Sequence, residues 1–269
     1  MRFLPICWLI AGILPCFAAG STLLDTGYRQ MYDLQFDAAH RTFQQWEQQH
    51  PEDPLGPVSD GAAYLFSEFD RLRILQSEFF VENDSFLHLH RLDPDPAVKA
   101  SFEATLAKGQ TLADRALARS PGDEDALLAT VMRLGLHADY LAMVEKRYLV
   151  SLDEVKQGRG IAGKLLTAHP ECYDAYLAIG VENYLLSLKP APVRWLLHLG
   201  GAQTDKDVGL ANLRLTAGKG RYLKPYAQLL LAVADLRDNN RAQAKRTLTF
   251  LASAYPENRL YREELAKLQ

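Results

Sequence analysis

His88-Leu89-His90 followed by Asp93-Pro94-Asp95 is the stretch whose residue types come nearest to a metal-binding set, since imidazole and carboxylate both suit zinc. Histidines two apart would point the same way on a strand. No third and fourth ligand follows at a recognisable spacing, so the expectation is a solvated loop, with no metal and no cofactor. Carboxylates occur in pairs at Glu145 and Glu154, Glu68 and Asp70, and Glu78 and Glu82. A glycosidase needs two such groups facing across a cleft; on a helical sequence this polar they read as solvated faces. Gly158-Arg159-Gly160 and Gly218-Lys219-Gly220 are glycine-flanked cations, but neither follows a strand as a phosphate-cradling loop does. HExxH, paired CxxC and GxSxG patterns do not occur. Cys172, after Pro170-Glu171 at a helix start, reads as a small buried hydrophobe rather than a nucleophile. No catalytic residue is assigned, and the chain reads as a non-enzyme.

The densest aromatic and amide group is Tyr173, Tyr176, Asn183, Tyr184, Tyr222 and Tyr226. An amide side chain can pair with a peptide backbone, and tyrosine offers a large apolar body with a polar tip. Asn183, Tyr184, Tyr222 and Tyr226 are therefore the expected peptide-binding residues, Asn183 and Tyr226 foremost. The competing reading makes the tyrosines core, and Tyr176 fits a packing position well. Trp195 and Leu196-Leu197 either fill a gap between helices, the favoured reading, or touch a membrane.

These residues are positioned by a chain that reads as helical almost throughout. Apolar residues recur at three and four, as in Leu106, Leu112, Ala113, Ala116 and Leu117 and in Leu229, Leu230, Val233 and Leu236. Proline and glycine fall between these stretches and supply stop and start signals. The pattern predicts helices over about 22–34, 36–50, 57–80, 96–119, 123–148, 151–168, 172–187, 191–199, 205–217, 222–237, 241–254 and 257–268. Between the last regular pairs, Lys189-Pro190-Ala191-Pro192 must break a helix. Thr204 with Asp207 is placed to cap the next one, and Gly218 to end it at a left-handed position.

A spacing repeats near both ends. Ala39, Phe43 and Trp46 stand twelve, eight and five residues before Pro51, and Ala244, Leu248 and Leu251 stand likewise before Pro256. Gly158, Ala162 and Leu165 precede Pro170 in the same way, followed by Tyr176 and Gly180 as a large residue and a small one four later. This is the spacing of the tetratricopeptide repeat, about 34 residues in two helices, in which a small residue lets the helices approach. The expected fold is all-α, a TPR-like α-α superhelix, that is, a solenoid of antiparallel helix pairs with degenerate repeats. The stretch 57–119 fits the spacing poorly, and about 188–222 reads as an irregular segment.

The run Ile179 to Tyr184, with Leu188 to Pro190, Val193 to Leu197, Leu199 to Gly201, Asp205 to Asp207, Gly209-Leu210, Leu213, Ala217, Gly220 to Tyr222 and Tyr226-Ala227, resembles a group of bacterial exported tetratricopeptide-repeat proteins. A fainter likeness links it to eukaryotic outer-membrane tetratricopeptide proteins, including the inclusion-body clearance family. The resemblance implies an all-helical fold and protein or envelope binding, and it brings no catalytic residues.

Residues 1–20 read as a signal peptide. Met1-Arg2 is a short positive start, Phe3 to Phe17 is almost wholly apolar, and Ala18-Ala19-Gly20 supplies the small residues of a cleavage site. The remaining 21–269 is read as one helical-repeat domain, exported to the periplasm after cleavage, with a membrane anchor as the less favoured alternative. Of 30 Lys and Arg only Arg2 lies in the leader, leaving 29 against 33 Asp and Glu and a net charge of −4. That near-balance excludes the strongly basic footprint of a nucleic-acid binder. The expected function is a non-enzymatic scaffold for a protein or peptide partner. The alternatives are an envelope enzyme acting on cell wall or lipid, and a peripheral membrane protein using 190–200.

Overall fold

The computed structural model describes residues 21–75 and 93–268. The leader, His88, His90, Glu78 and Glu82 lie outside the described residues. Among those described, the chain is all α, with twelve helices and no strand. They are α1 (Leu23–Tyr32), α2 (Phe36–Gln49), α3 (Leu55–Arg71), α4 (Pro96–Arg119), α5 (Glu124–Met143) and α6 (Tyr148–Ala168). There follow α7 (Tyr176–Ser187), α8 (Ala191–Leu199), α9 (Lys206–Lys219), α10 (Lys224–Arg237), α11 (Arg241–Ala254) and α12 (Arg259–Ala266).

The helices pack as five pairs in sequence: α1 on α2, α3 on α4, α5 on α6, α7 on α9, and α10 on α11. Each pair then packs on the next, and α12 closes the last. Stability in such an array comes from neighbour interfaces, because one pair cannot bury its apolar stripe alone.

The second helices stop for a reason written in the sequence. α2, α4, α6 and α11 each end two residues before a proline, and the ring of a proline pushes its predecessor out of helical geometry. His50, His169 and Tyr255 take nearly identical backbone angles, φ −132, −131 and −128° with ψ 67, 71 and 75°. Ser120, ahead of Pro121, adopts φ −141° and ψ 96°. The spacing behind these prolines is the packing. Ala39, Phe43, Ala162, Leu165, Ala244, Leu248 and Leu251 are all fully buried. Trp46 is half-buried, with its Nε1 donating to Asp53 at 2.7 Å, while Pro51 and Pro256 are exposed terminators.

The expectation that 57–119 lacks the spacing needs correction. Gly109, Ala113 and Ala116 stand twelve, eight and five residues before Pro121, and all three are buried on α4. A Cβ on Gly109 would lie 2.5 Å from Val58 Cγ2, so the small residue brings α4 against α3. A fifth copy has lost its proline. Gly209, Leu213 and Thr216 hold the same positions on α9, buried, with Arg221 where the proline would stand.

The turns within pairs differ in length. Leu34, Lys146 and Asn239 each adopt φ 60° between the helices of the first, third and fifth pairs. That left-handed conformation costs a non-glycine residue about 1–2 kcal/mol, so the packed helices must hold it. Lys146 is also why the expected helix 123–148 stops at Met143 and the next starts at Tyr148. The second pair is interrupted by 72–95 and the fourth by 188–205, which carries α8. The irregular segment is thus shorter than expected, since α9 is a regular second helix. Its cap is Asp205, which accepts from Asp207 N and Val208 N at 3.0 and 3.1 Å, not Thr204. Gly218 lies inside α9, and the left-handed glycine is Gly201 at φ 82°.

The two ends of the array meet. Tyr28 of α1 stacks on Tyr222 with ring centroids 4.9 Å apart. Asn258 Nδ2 donates to Tyr32 O at 2.8 Å, and Asp33 accepts from Glu257 N and Asn258 N.

Candidate functional site

The first helix of every pair sends side chains into one cleft. Tyr28 and Tyr32 come from α1, Phe66 from α3, Met132 and Asp139 from α5, Ala178 from α7 and Tyr226 from α10. α6 adds Glu154 and Gly158. The cleft holds a cavity of about 100 Å³ with a mostly apolar wall. An apolar concavity with a few convergent polar groups is the usual form of a ligand site.

Three carboxylates face this space, and among the described residues no Lys, Arg or His lines it. Glu154 is committed to His137, whose Nδ1 lies 2.7 and 2.8 Å from its two oxygens. Asp174 is committed to the start of α10, accepting from the N–H groups of Arg221, Tyr222 and Leu223 at 3.0 Å each. Leu223, the N-cap of α10, offers no side-chain cap, and Asp174 from another pair holds the turn that leads into that helix. Asp139 has no hydrogen-bond or ion-pair partner among the described residues, and burial pushes its carboxyl up to about 7. The Tyr226 hydroxyl is likewise without a partner there. Its ring meets Phe66 edge-on at 5.7 Å, and burial beside Asp139 drives its pKa well above the usual tyrosine range.

The four residues expected to bind a peptide part company here. Tyr226 faces the cleft. Asn183 is 3% exposed and engaged within the fold: its Nδ2 donates to Ile179 O at 3.0 Å and its Oδ1 accepts from Asp205 N at 3.1 Å. It ties the start of α9 to α7, and its amide is buried away from the cleft. Tyr184 is buried between α7 and α9, with Gly209 pressed against its backbone. Tyr222 is buried in the stack on Tyr28, with the Arg221 guanidinium 4.9 Å over its ring. Tyr176 is half-buried, its hydroxyl donating to Pro170 O at 3.2 Å, and Gly180 admits Leu213.

The other chemistry-bearing residues have structural partners. Asp95 caps α4 through Ala97 N and Val98 N, and Asp93 O accepts from Arg71. Glu145 pairs with Lys99 at 2.6 Å, Glu68 with Arg71 at 2.7 Å and Asp70 with Arg259 at 2.7 Å. Arg159 reaches the buried Glu182 at 2.6 Å, and Lys219 sits 4.8 Å over the Tyr173 ring. The Cys172 thiol is buried and pushed up to about 12 by that burial. Glu124, His169 and Glu171 cluster near it where the start of α5 meets the end of α6, and there His169 Nδ1 lies 3.4 Å from Glu124 and its Nε2 bonds Gly122 O at 3.0 Å.

α8 stands apart. None of its residues is buried, and Trp195, Leu196 and Leu199 are 67, 65 and 65% exposed. Lys156 and Arg159 of α6 hold the turn after it by donating to Gly200 O and Gly201 O. Among the described residues no helix is long and apolar enough to cross a membrane.

Sequence reasoning missed Asp139 and Phe66. The signal for Asp139 was a lone acid among the apolar residues that close α5, Leu134 to Met143. Comparison of the chain with family models, curated proteins and solved structures gives no match.

Proposed function

We propose that this chain is an exported, tetratricopeptide-like α-α superhelix that serves as a non-enzymatic scaffold, holding a peptide or protein segment on its inner face. The observation that carries the reading is the convergence of all five first helices on one apolar cleft. A repeat array presents the first helices of its units on the concave side, and a partner's apolar side chain buried there gains about 25 cal/mol per Å² of apolar surface. Tyr226 keeps the role expected of it. Asn183 gives its role up to Asp139, the carboxylate of the cleft without a hydrogen-bond or ion-pair partner among the described residues.

Selection from a phage-displayed random peptide library on the full chain tests this. Enrichment of related peptides is expected, and it should vanish with Ala178→Trp, which fills the cleft, while circular dichroism shows an unchanged helical content. No enrichment on the parent protein, or enrichment indifferent to Ala178→Trp, overturns the reading.

A second reading has its own observation. Pro192, Trp195, Leu196 and Leu199 fall at i, i+3, i+4 and i+7, one apolar stripe facing solvent, and Leu188 to Leu199 carries Lys189 and Arg194 but no acid. Such a helix suits an anionic lipid surface. Co-sedimentation with phosphatidylglycerol vesicles, lost on Trp195→Ala with Leu196→Ala, is the expected result; equal sedimentation of the double variant refutes it.

A further inference from the structure

We propose that the cleft binds a primary alkylammonium group, its carbon stem among the apolar side chains and its N–H donors taken by Asp139 and the Tyr226 hydroxyl. The proposal rests on the cleft being the binding site and goes further by naming the ligand's chemistry.

The cleft's own groups select that chemistry. Glu154 and Asp174 already spend their oxygens on His137 and on three backbone N–H groups. Asp139 spends none on the described residues, although a half-buried carboxylate without a partner is costly. With no cation on the wall among the described residues, an anionic ligand would meet three acids and only tyrosine hydroxyls as donors. An alkane would leave Asp139 as it is, half-buried and unpaired among the described residues. An ammonium brings three donors and a positive charge, and among the described residues Asp139 and the hydroxyls of Tyr226 and Tyr32 are acceptors left over in the cleft. The size agrees. A dry cavity of about 150 Å³ takes benzene, so about 100 Å³ suits a short unbranched stem.

Two sources carry this group, a lysine side chain of a bound peptide and a free small amine. Calorimetry and saturation-transfer NMR on the full chain with n-pentylammonium, n-pentanol and n-pentanoate test the chemistry. At a pH of about 8.5 the amine keeps its proton and Asp139 is ionised. The ammonium should bind about tenfold to a hundredfold more tightly than the alcohol, and the carboxylate not at all. Asp139→Asn should erase the preference for ammonium over alcohol while leaving alcohol binding in place, which separates loss of charge from loss of fold. Equal binding of amine and alcohol, or a preference that survives Asp139→Asn, overturns the proposal.

Nα-acetyl-lysine amide against Nα-acetyl-norleucine amide then separates the sources. Competition by the lysine compound alone assigns the group to a peptide; binding of pentylammonium without it assigns the group to a free amine. The peptide selection fails or succeeds separately. Enriched peptides that lack lysine would keep the scaffold reading and sink this one. Pentylammonium binding with no enriched peptide would do the reverse.

Discussion

Arg221 reaches Asp25 across 196 residues of sequence, Nε to Oδ1 at 2.8 Å. It stands where four other repeats place a proline, and the substitution gives the chain two things a proline lacks. Its N–H goes to Asp174, and its guanidinium fastens the fifth pair to the first. The Asp25 carboxyl is pulled up by burial, but more strongly down by Arg221 and by the N–H and hydroxyl of Thr22, and it lies below the usual value of 3.8. Because the folded pKa is depressed, the stabilisation is present above 3.8 and is lost as pH falls through the folded value. Arg221→Ala should cost no more than about 1 kcal/mol at neutral pH, as the pair is largely exposed. In urea melts the gap between variant and parent should close in acid. A gap that widens there would show that Asp25 does not hold the pair.

Asp174 should matter far more than Arg221. Its carboxylate is buried and is the acceptor for three consecutive N–H groups at the start of α10. Asp174→Ala leaves those donors without a partner, and unsatisfied buried donors cost about 1–3 kcal/mol each when water cannot replace the bond. A loss of about 2–4 kcal/mol in urea denaturation is expected for the set, since partial water entry recovers some. Asp174→Asn keeps one acceptor oxygen and should fall between. A loss as small as that of Arg221→Ala would mean that α10 is capped by other means.

Two glycines of the array should respond with opposite signs. A Cβ on Gly209 would lie 2.5 Å from Tyr184 N, a backbone atom that cannot step aside without parting α7 from α9. Gly209→Ala should therefore destabilise by about 1–3 kcal/mol, as overpacked cores do. Gly163 lies within α6 with nothing near its missing Cβ. Gly163→Ala should stabilise by about 0.5–1 kcal/mol through helix propensity alone. Thermal melts of both variants side by side check the assignment, and the same sign for both would refute it.

These contrasts mark what a sequence can and cannot carry. The proline spacing made α2, α6 and α11 legible, because a proline's effect on its predecessor is local. The same spacing before Pro121 was passed over, since the long interruption 72–95 hides the partner helix that gives Gly109 its meaning. Arg221 was invisible as a repeat position for the opposite reason: a backbone N–H to Asp174 replaces the proline, and that bond spans 47 residues. The binding residues were read one helix at a time, which found Tyr226. It also nominated Asn183, whose two bonds are set by where α8 leaves the chain. A cleft built from five helices belongs to none of them singly, so Asp139 became visible only once the pairs were stacked.

Asp139 ties stability to the cleft. Its carboxyl sits at about 7 in the folded protein against 3.8 for an unperturbed group. Between those values the unfolded chain has released the proton and the folded chain still holds it, so folding is penalised increasingly as pH rises from 3.8 to about 7 and fully above that. Asp139→Asn removes the penalty. It should leave stability near that of the parent in acid, gain through that window, and level off above it. The plateau should be about 1–3 kcal/mol, less than the full shift implies because the group is partly reached by water from the cleft. Urea melts across pH give the curve. A site kept at such a cost to the free protein is one whose charge is wanted only when a ligand arrives, so the same variant should gain stability and lose the ammonium. A variant less stable than the parent at high pH would place a hidden partner on Asp139 and remove the ground for both expectations.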